Sequence, residues 1–524
     1  MRILGLVALV LLPAFPLLAA TPYSIGTPVL VDVWVDPASG HDANGGTGPG
    51  DALRTLAEAW NRIPRETLLA AHGYRIQLAA GTYTREAIPH YLESRWGTAE
   101  HPIIIQSAGA PRSARLVGDL NVFDTRYLYL IGLDMQPEPA GDVFHCERCD
   151  HLLVRDCNLA GGAARQAHET FKANQSSHVY IEDSTISGAD DNAVDFVGVQ
   201  YGHVINSVIS NAQDWCIYAK GGSAYLRVEG NEIFDCGTGG FTAGQGAGFQ
   251  FMVSPWLHYE AYDIKVVNNV IHDTEGAGLG VNGGYNILLA HNTLYRVGER
   301  SHMVEVVFGG RSCDGAAGDP GRSQCAEYLA AGGWGTTAID DGNNYVRIPN
   351  RNVSIYNNVL YNPRGYVAPQ IFSIAGPWTD ASTQNGSNVP ARTDDGLQIR
   401  GNVIFSDGAS LGIGDGSGCA AAHPTCNATQ LLADNAVNAF EPQLVNPAAG
   451  DFRPMARGNV ATARTFAIPP FTWADAPVRP APPAGTVSND VRSDRAGRSR
   501  GTPSTAGAYV EGQSGSPRRR AVRP

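Results

Sequence analysis

Between residues 150 and 410 the chain repeats a pattern in which a small polar residue is followed two positions later by an aliphatic one. The phrases are RDCNL, EDSTI, INSVI, GNEIF, NNVIH, HNTLY, NNVLY and GNVIF, with polar members Cys157, Ser184, Ser207, Asn231, Asn269, Asn292, Asn358 and Asn402. Ser184 and Ser207 are 23 residues apart, as are Asn269 and Asn292. A fixed period of this length predicts a solenoid of stacked coils, each with three short strands and three turns.

The recurring polar residues are expected to occupy one turn of every coil. With coils stacked at about 4.8 Å, their side chains would form a hydrogen-bonded ladder. The alternative is an ordinary β-sandwich in which asparagine merely marks turns. That alternative explains the turns but not the fixed period, so the pattern favours the solenoid.

Helical spacing replaces the strand pattern in one segment near the N-terminus. From Thr55 to His72 the apolar residues are Leu56, Ala59, Trp60 and Ile63, and Pro64 interrupts the series. The open end of a stack of repeats needs a cover. We therefore predict a capping helix at the N-terminal end of the solenoid.

The two ends of the repeat region resemble a known family. VWVDPASGHDANGGTGPGDALRTLAEA, IQLAAGTY and IIIQSAG resemble the opening of secreted bacterial right-handed parallel β-helix proteins of the pectate-lyase-like superfamily, and PQLVNPAAGDFRP and GAYVEG resemble their closing coil. The resemblance runs from about Val33 to Gly512. It implies an all-β, right-handed parallel β-helix over residues 21–512. It leaves the chemistry open, because this fold carries lyases, epimerases, hydrolases and non-catalytic adhesins.

The chain termini predict an exported protein. The first twenty residues, MRILGLVALVLLPAFPLLAA, combine one early arginine, an apolar run and small residues near Ala20, which indicates a signal peptide over 1–20. No later stretch has the apolar length of a transmembrane helix, so we expect a secreted or periplasmic protein without membrane insertion. Residues 513–524, rich in arginine, are expected to form a disordered tail.

Composition narrows the choice of partner. The 61 glycines and the 17% of charged residues are typical of a turn-rich β protein. The formal net charge of −12 argues against nucleic acid as the main ligand. It would also repel an acidic polysaccharide unless cations lie at the site. We expect a monomer.

The nine cysteines permit disulfides in an exported chain and leave at least one cysteine unpaired. The spacing favours Cys313–Cys325 and Cys419–Cys426, each bracketing a glycine-rich loop. The CERC sequence lacks a second Cys/His pair at zinc spacing, so zinc is disfavoured there.

Aligning the coils on their apolar pairs predicts which side chains face outward, because strand side chains alternate. The inward pairs are Phe144/Cys146, Phe171/Ala173, Val194/Phe196, Ile217/Ala219, Phe249/Phe251 and Leu279/Val281. One outward column then reads His145, Lys172, Asp195, Tyr218, Gln250 and Gly280. A second reads Glu147, Asn174, Val197, Lys220, Met252 and Asn282. The turn entering these strands contributes Gly141, His168, Asp191, Asp214, Gly246 and Gly276.

This alignment gathers a charged patch about three coils tall. Its members are His168, Lys172, Asp190, Asp191, Asp195, Asp214, Tyr218 and Lys220. Neighbouring coils would bring Lys172 close to Asp195, and Asp191 close to Asp214. Two carboxylates so placed repel each other unless a cation or a proton lies between them. The alternative is a ladder of solvated salt bridges that adds little stability.

Two loop insertions adjoin the predicted patch. The first, near residues 253–263, carries Trp256 and Tyr259. These two residues could stack on sugar rings or simply pack the loop onto the outer surface of the solenoid that carries the patch, here called the wall. The second, near residues 309–350, is long enough to be a functional loop that closes one end of a cleft. With His168 and Gln250, the two aromatic residues are the predicted substrate-binding residues. Gly221 and Gly222 are expected to leave open floor beside Lys220.

The chemistry that fits such a wall is β-elimination on an acidic, uronate-containing polysaccharide. It requires neutralising the uronate carboxylate, removing the proton on C5 and expelling the substituent on O4. We predict Ca²⁺ as cofactor, with Asp190, Asp191, Asp195 and Asp214 as ligands.

The predicted base is Lys220, with Lys172 second, and Tyr218 would serve if a cation lowered its pKa. DDNAVD and YAKGG resemble the aspartate cluster and lysine base of calcium-dependent pectate lyases, although His168, Glu169 and Lys172 stand where a further aspartate would be expected. The alternatives are a glycoside hydrolase, a C5-epimerase and a non-catalytic glycan-binding or surface protein.

Overall fold

The computed structural model describes residues 21–138, 141–253, 256–313, 320–339, 345–380, 389–473, 488–501 and 504–510. The predicted signal peptide and the arginine-rich tail lie outside these ranges. Three parallel sheets, here called A, B and C, wind around one hydrophobic core as a right-handed parallel β-helix. From Gly73 to Ile374 each coil contributes one strand to each sheet in the order A, B, C, which confirms the predicted fold class.

Sheet A has 12 strands: Leu30–Val35, Gly73–Leu78, Ile103–Ser107, Arg126–Ile131, Asp150–Arg155, Ser177–Glu182, Gln200–Ile205, Ser223–Glu229, Ala261–Val267, Gly284–Ala290, Arg351–Tyr356 and Gln398–Arg400. Sheet B has 12: Gly81–Tyr83, Ala114–Val117, Leu133–Gln136, Asn158–Ala160, Thr185–Ala189, Val208–Ala212, Glu232–Cys236, Val270–Thr274, Thr293–Val297, Val359–Asn362, Val403–Ser406 and Ala436–Val437. Sheet C has 10: Leu92–Glu93, Leu120–Phe123, Phe144–Glu147, Phe171–Asn174, Val194–Val197, Trp215–Lys220, Gly239–Gly244, Ala277–Asn282, His302–Val307 and Gln370–Ile374.

The remaining elements lie at the ends and in insertions. Two antiparallel pairs join Gly309–Arg311 to Val346–Ile348 and Leu444–Asn446 to Asp451–Pro454. The helices are α1, Leu56–Asn61; α2, Pro320–Ala330; and α3, Ala428–Asp434. No helix among the described residues has the length and apolar character needed to span a membrane.

The turn between sheets A and B holds the predicted ladder. The backbone N–H of Asn231 donates to Oδ1 of Asn269 at 3.0 Å, and that of Asn269 donates to Oδ1 of Asn292 at 3.0 Å. The series continues through Asn358 and Asn402. Because each amide satisfies a buried backbone group of the coil beside it, the ladder explains why the 23-residue period needs a polar residue at this turn.

The apolar pairs of sheet C set the register of the wall. Phe144, Phe171, Val194 and Ile217 are aligned on consecutive strands and are buried, as predicted. The same register places Lys172 opposite Asp195 and Asp195 opposite Tyr218.

The alignment was wrong on the next coil. Ile217 pairs with Phe241, not Phe249, so Thr242 and Gly244 stand where Gln250 and Met252 were predicted. Phe249–Phe251 is a short 3-10 helix in a longer connection between sheets C and A. That insertion therefore begins directly after Gly244, and Ala261–Asp263 already belong to a sheet A strand.

The capping helix is shorter than expected. α1 starts with Thr55 as N-cap, whose hydroxyl accepts the Glu58 N–H at 3.1 Å, and ends at Asn61 rather than at His72. Its buried residues Leu56, Ala59 and Trp60 join the core at the first coil. Pro64 lacks the N–H that a continued helix needs, and strand structure resumes at Gly73.

The cysteine pairs Cys313–Cys325 and Cys419–Cys426 are disulfides, as predicted. Two further disulfides were not foreseen: Cys146–Cys149, which explains CERC without a metal, and Cys216–Cys236, which joins sheets C and B. Cys157 is the free cysteine among the described residues and is buried.

Candidate functional site

The charged patch lies on sheet C and on the turn that enters it from sheet B. Lys172, Asp195 and Lys220 come from three consecutive strands, which stack one above another. His168, Asp191 and Asp214 lie in the preceding turn, where the Asp191 N–H donates to the His168 carbonyl and the Asp214 N–H to the Asp191 carbonyl, both at 3.0 Å. The regular 23-residue coils therefore bring together the two predicted lysines and three of the predicted aspartates.

Asp195 is the centre of the patch. Its carboxylate lies between two ammonium groups, with Oδ2 at 3.4 Å from Lys172 Nζ and Oδ1 at 3.6 Å from Lys220 Nζ. The residue is fully buried although it points away from the core. We had expected Asp195 to be an exposed metal ligand; instead its carboxylate pairs with two lysines.

Several buried polar atoms of this wall have no hydrogen-bond partner among the described residues. Neither oxygen of Asp195 accepts a hydrogen bond within the described part of the chain, and the same holds for Thr170 Oγ1 and Asn174 Oδ1. His145 Nε2, one coil below Lys172, is also unsatisfied. Buried polar groups are normally hydrogen-bonded, so several exceptions within a few coils distinguish this wall from an ordinary structural surface.

Glu169 is a buried carboxyl group that completes the patch. It accepts the Asn192 N–H at 2.8 Å and the Lys172 ammonium at 3.3 Å. Burial, followed by the negative charge of Asp195, raises the pKa of Glu169 to about 9, although Lys172 opposes this shift. Glu169 is therefore protonated near neutral pH. Burial alone would lower the pKa of Lys172, but Asp195 and Glu169 raise it on balance, so Lys172 keeps its proton.

The turn side of the patch is more acidic and more exposed. His168 Nδ1 lies 3.2 Å from Oδ1 of Asp142, and its Nε2 lies 4.0 Å from Oδ2 of Asp191. Burial raises the pKa of Asp214, and the neighbouring charge of Asp191 adds to the shift. The two predicted carboxylates thus do repel each other. Asp190, which was predicted to join them, is exposed.

Tyr218 does not have the lowered pKa that a base would need. Burial, followed by the charge of Asp195, raises its pKa well above the usual value. The hydroxyl donates to the Gly246 carbonyl at 3.2 Å, and the Lys220 ammonium lies 3.9 Å from the ring centroid. Its position makes Tyr218 a support for Lys220 and an anchor for the inserted connection.

The inserted connection packs onto the wall instead of presenting aromatic rings. Trp256 and Tyr259 are buried in an aromatic cluster, 5.8 and 5.0 Å from the Tyr285 ring centroid. The expectation that they stack on sugar is therefore wrong, and the packing alternative holds. Gln250 is also buried and lies off the column for which it was predicted.

The glycines beside Lys220 are covered. A Cβ on Gly222 would lie 3.3 Å from the Trp256 carbonyl oxygen, and one on Gly198 would lie 3.1 Å from that of Phe251. These glycines make room for the inserted connection and not for a polymer. The open surface that was expected beside Lys220 is therefore absent. Phe251 is the exposed aromatic residue at this edge, with 40% of its surface accessible.

The four predicted calcium ligands do not converge on one point. Among the described residues near the patch, the metal-ligating atoms that lie within 4.8 Å of one another belong to His168, Glu169 and Asp191. This set contains an imidazole nitrogen and a protonated carboxyl, whereas calcium takes six to eight oxygen ligands. The arrangement of the four aspartates therefore does not fit the predicted calcium site. Asp191 and Asp214 are the two predicted ligands that still lie on neighbouring coils of the same turn.

The sequence alignment passed over Asp142, and it named Glu169 only as a departure from the pectate-lyase pattern, without a role in the site. Both lie one position after the turn column that was read, directly before the sheet C strands that carry His145 and Lys172. Reading one further column of the same register would have found them.

Residues 142–311 match the family model described as right handed beta helix region. No curated protein matches the sequence. Among solved structures, pectate lyase Pel9A is 15% identical over 93% of this chain and 98% of that chain, with a TM-score of 0.43. Alginate lyase from Paenibacillus sp. str. FPU-7 is 14% identical over 73% of this chain and 96% of that chain, with a TM-score of 0.40. A rhamnogalacturonan lyase is 12% identical over 71% and 87%, with a TM-score of 0.38. The family match and the three parallel sheets identify the fold as a right-handed parallel β-helix.

Proposed function

We propose that the charged patch binds an acidic, uronate-containing polysaccharide and cleaves it by β-elimination. One observation carries the proposal: the single carboxylate of Asp195 lies between the ammonium groups of Lys172 and Lys220. Glu169 adds no negative charge near neutral pH, because its pKa is raised to about 9. These four side chains therefore have one positive charge in excess, which would attract a substrate carboxylate to an otherwise acidic protein.

The roles of the two lysines follow from their surroundings. Lys172 keeps its proton and would pair with the uronate carboxylate, which makes the C5 proton more acidic. Lys220, at the end of its strand, would first release its ammonium proton to water and then take the C5 proton as the general base. The electron pair of the C5–H bond forms the C4–C5 double bond, the C4–O4 bond breaks, and the leaving oxygen takes a proton from water.

A divalent cation at Asp191 and Asp214 is a separate part of the proposal. The two carboxylates repel each other, and a bound cation would relieve that repulsion. Calorimetric titration with Ca²⁺ should give measurable binding to the wild type and none to Asp191→Ala. Equal, weak heats from both proteins would leave only the salt-bridge interpretation. Elimination itself is not assigned to the cation.

The experiment that tests the reaction uses a panel of uronate polymers. Elimination creates a C4–C5 double bond conjugated to the carboxylate, so the product absorbs ultraviolet light. Appearance of this absorbance supports the proposal. New reducing ends without absorbance would indicate a hydrolase, a change of uronate configuration without cleavage a C5-epimerase, and retained polymer without either a glycan-binding protein.

A further inference from the structure

A second polar feature lies at the corner between sheets C and A. The residues that directly follow four consecutive sheet C strands are Asp124, Arg148, Gln175 and Gly198, stacked by backbone hydrogen bonds from each coil to the next. Facing them are the first residues of the sheet A strands, Arg126, Asp150, Ser177 and Gln200. Together with Val253 they line a groove of about 460 Å³, within the usual size range of small-molecule sites.

The most exposed charged groups of this groove are the guanidinium groups of Arg126 and Arg148. Arg148 is 61% exposed, and its ion pair with Glu147 is a loose contact of 3.7 Å. Arg126 is exposed at the outer end and lies over the Trp96 ring at 4.6 Å. The groove's two carboxylates are engaged internally: Asp124 accepts the Trp96 indole N–H, and Asp150 accepts hydrogen bonds from histidine and serine side chains.

Amide groups lie beside the guanidinium. The side-chain amide of Gln175 makes no hydrogen bond to another described residue, although it adjoins the coil of Arg148. Gln200 donates its NH₂ group to the Gly222 carbonyl at 3.3 Å and to the Tyr262 hydroxyl at 2.9 Å. Its carbonyl oxygen is thereby held as an acceptor. Guanidinium and amide groups in one groove suit a ligand with carboxylates and hydroxyls.

The groove is aligned with the charged patch. Lys220 directly precedes the corner residue Gly221, one coil above Gly198, and the corner column continues downward to Gln175 and Arg148. Arg148 is therefore three coils, about 14 Å, from the level of Lys220. The inserted connection covers Gly198, so a linear polymer that meets both must pass over the connection along the helix axis. Phe251 is exposed at the edge between them, where its carbonyl approaches Gly198.

We propose that this corner groove is a binding subsite for another acidic sugar of the same polymer, several units away from the reacting one. Arg148 binds the sugar's carboxylate, and Gln175 and Gln200 bind its hydroxyls. The inference rests on the proposed function, since it extends the same substrate away from the patch. It adds that substrates must carry a carboxylate on a sugar about three coils from the reacting one.

The test measures binding of an oligogalacturonate by calorimetry to proteins that carry Lys220→Ala, which prevents turnover. Adding Arg148→Ala should raise the Kd for the acidic oligomer about tenfold, as expected for loss of a guanidinium–carboxylate pair. The affinity for the methyl-esterified, uncharged oligomer should not change. Arg364→Ala is the matched control, because Arg364 is 67% exposed and lies outside the groove.

The outcomes separate this subsite from the reaction. Unchanged affinity of the Arg148→Ala protein for the acidic oligomer would refute the subsite. An equal loss with the esterified oligomer would refute the carboxylate contact. If the wild type forms no ultraviolet-absorbing product but binding still depends on Arg148, the subsite stands and the proposed elimination falls. If product forms and Arg148→Ala leaves KM unchanged, the reaction stands and the subsite falls.

Discussion

Two carboxylates on neighbouring sheets have the same arrangement and different surroundings. Asp195 on sheet C lies between two lysines, and Asp150 on sheet A lies between His151 and His178, with Nδ1–oxygen distances of 3.0 and 3.1 Å. Asp150 also accepts the Ser177 hydroxyl at 2.5 Å. Asp195 has no such hydrogen bond within the described ranges and is the more buried of the two.

The aromatic rings around Asp150 explain its stable arrangement. His151 and His178 stack at 4.1 Å in a column that continues to Tyr127 on one side and Tyr201 on the other. Burial opposes ionisation of Asp150, but its hydrogen bonds from the two histidines and from serine outweigh burial and lower its pKa. Both oxygens of Asp150 are engaged by neighbouring side chains, although Nδ1 of His151 makes only an ion-pair contact there, and this arrangement indicates a structural role. The wall around Asp195 keeps polar atoms unsatisfied, which is typical of a site that completes its contacts with a ligand.

The largest expected effect is a difference in unfolding free energy between variants of the two carboxylates. Asp195→Asn should lower the free energy of unfolding by about 3 kcal/mol, because two partly buried ammonium groups lose their common, fully buried counter-charge. Asp150→Asn should cost only about 1 kcal/mol, because the Asp150 side chain is 38% exposed and water screens its pairs. Urea denaturation of both variants measures the difference. Equal losses would mean that Asp195 is held no differently from a structural carboxylate.

The next prediction concerns turnover at Lys220. Lys220→Ala should reduce elimination on the order of 10²-fold or more while polymer binding is nearly unchanged, as expected for loss of a general base. Lys220→Arg keeps the positive charge beside Asp195 but cannot supply a neutral amine, so it should be as inactive and should fold normally. Lys172→Ala should mainly raise KM. Initial rates on a uronate polymer decide the assignment, and an inactive Lys172→Ala beside an active Lys220→Ala would reverse it.

The regular wall was predictable from sequence because its coils have a constant length. The pairing of Lys172 with Asp195 followed directly from two apolar pairs placed 23 residues apart. The prediction failed where a longer connection followed Gly244, since Phe249 and Phe251 imitate a strand's inward pair while forming a 3-10 helix.

The burial of the site residues could not be predicted from the sequence, for a physical reason. The segment that covers Tyr218 and Gly222 belongs to a different part of the chain, and contacts between distant segments leave no local pattern. The exposed Trp256 and the open floor were both predicted because the insertion was treated as free of the wall. Likewise, the raised pKa of Glu169 depends on burial under residues from three coils and could not be read from spacing.

The smallest expected effect is a change of Tm by a few degrees at most. It concerns how the stability contributed by Glu169 and by Asp150 responds to pH. The pKa of Glu169 rises from an ordinary value of 4.5 to about 9 on folding. Between these values the unfolded chain releases a proton that the folded chain keeps, so Glu169 destabilises the fold increasingly as pH rises through this window. For Asp150 the pH dependence of stability has the opposite sign. Its lowered pKa contributes stability that is present above the pKa of the unfolded chain, and this stability is lost as pH falls through the pKa of the folded protein.

Melting curves of the wild type, Glu169→Gln and Asp150→Asn, recorded at about pH 5 and about pH 8, test this contrast. Relative to the wild type, Glu169→Gln should gain stability on going to the higher pH, because an amide has no proton to lose. Asp150→Asn should be destabilised at both values, since both lie above the pKa of an unfolded aspartate. A Glu169→Gln difference that does not change with pH would show that Glu169 is ionised in the fold. Lys172, Lys220, Asp195 and Glu169 together would then have no positive charge in excess, and the attraction of a uronate carboxylate to the two lysines would need the cation at Asp191 and Asp214.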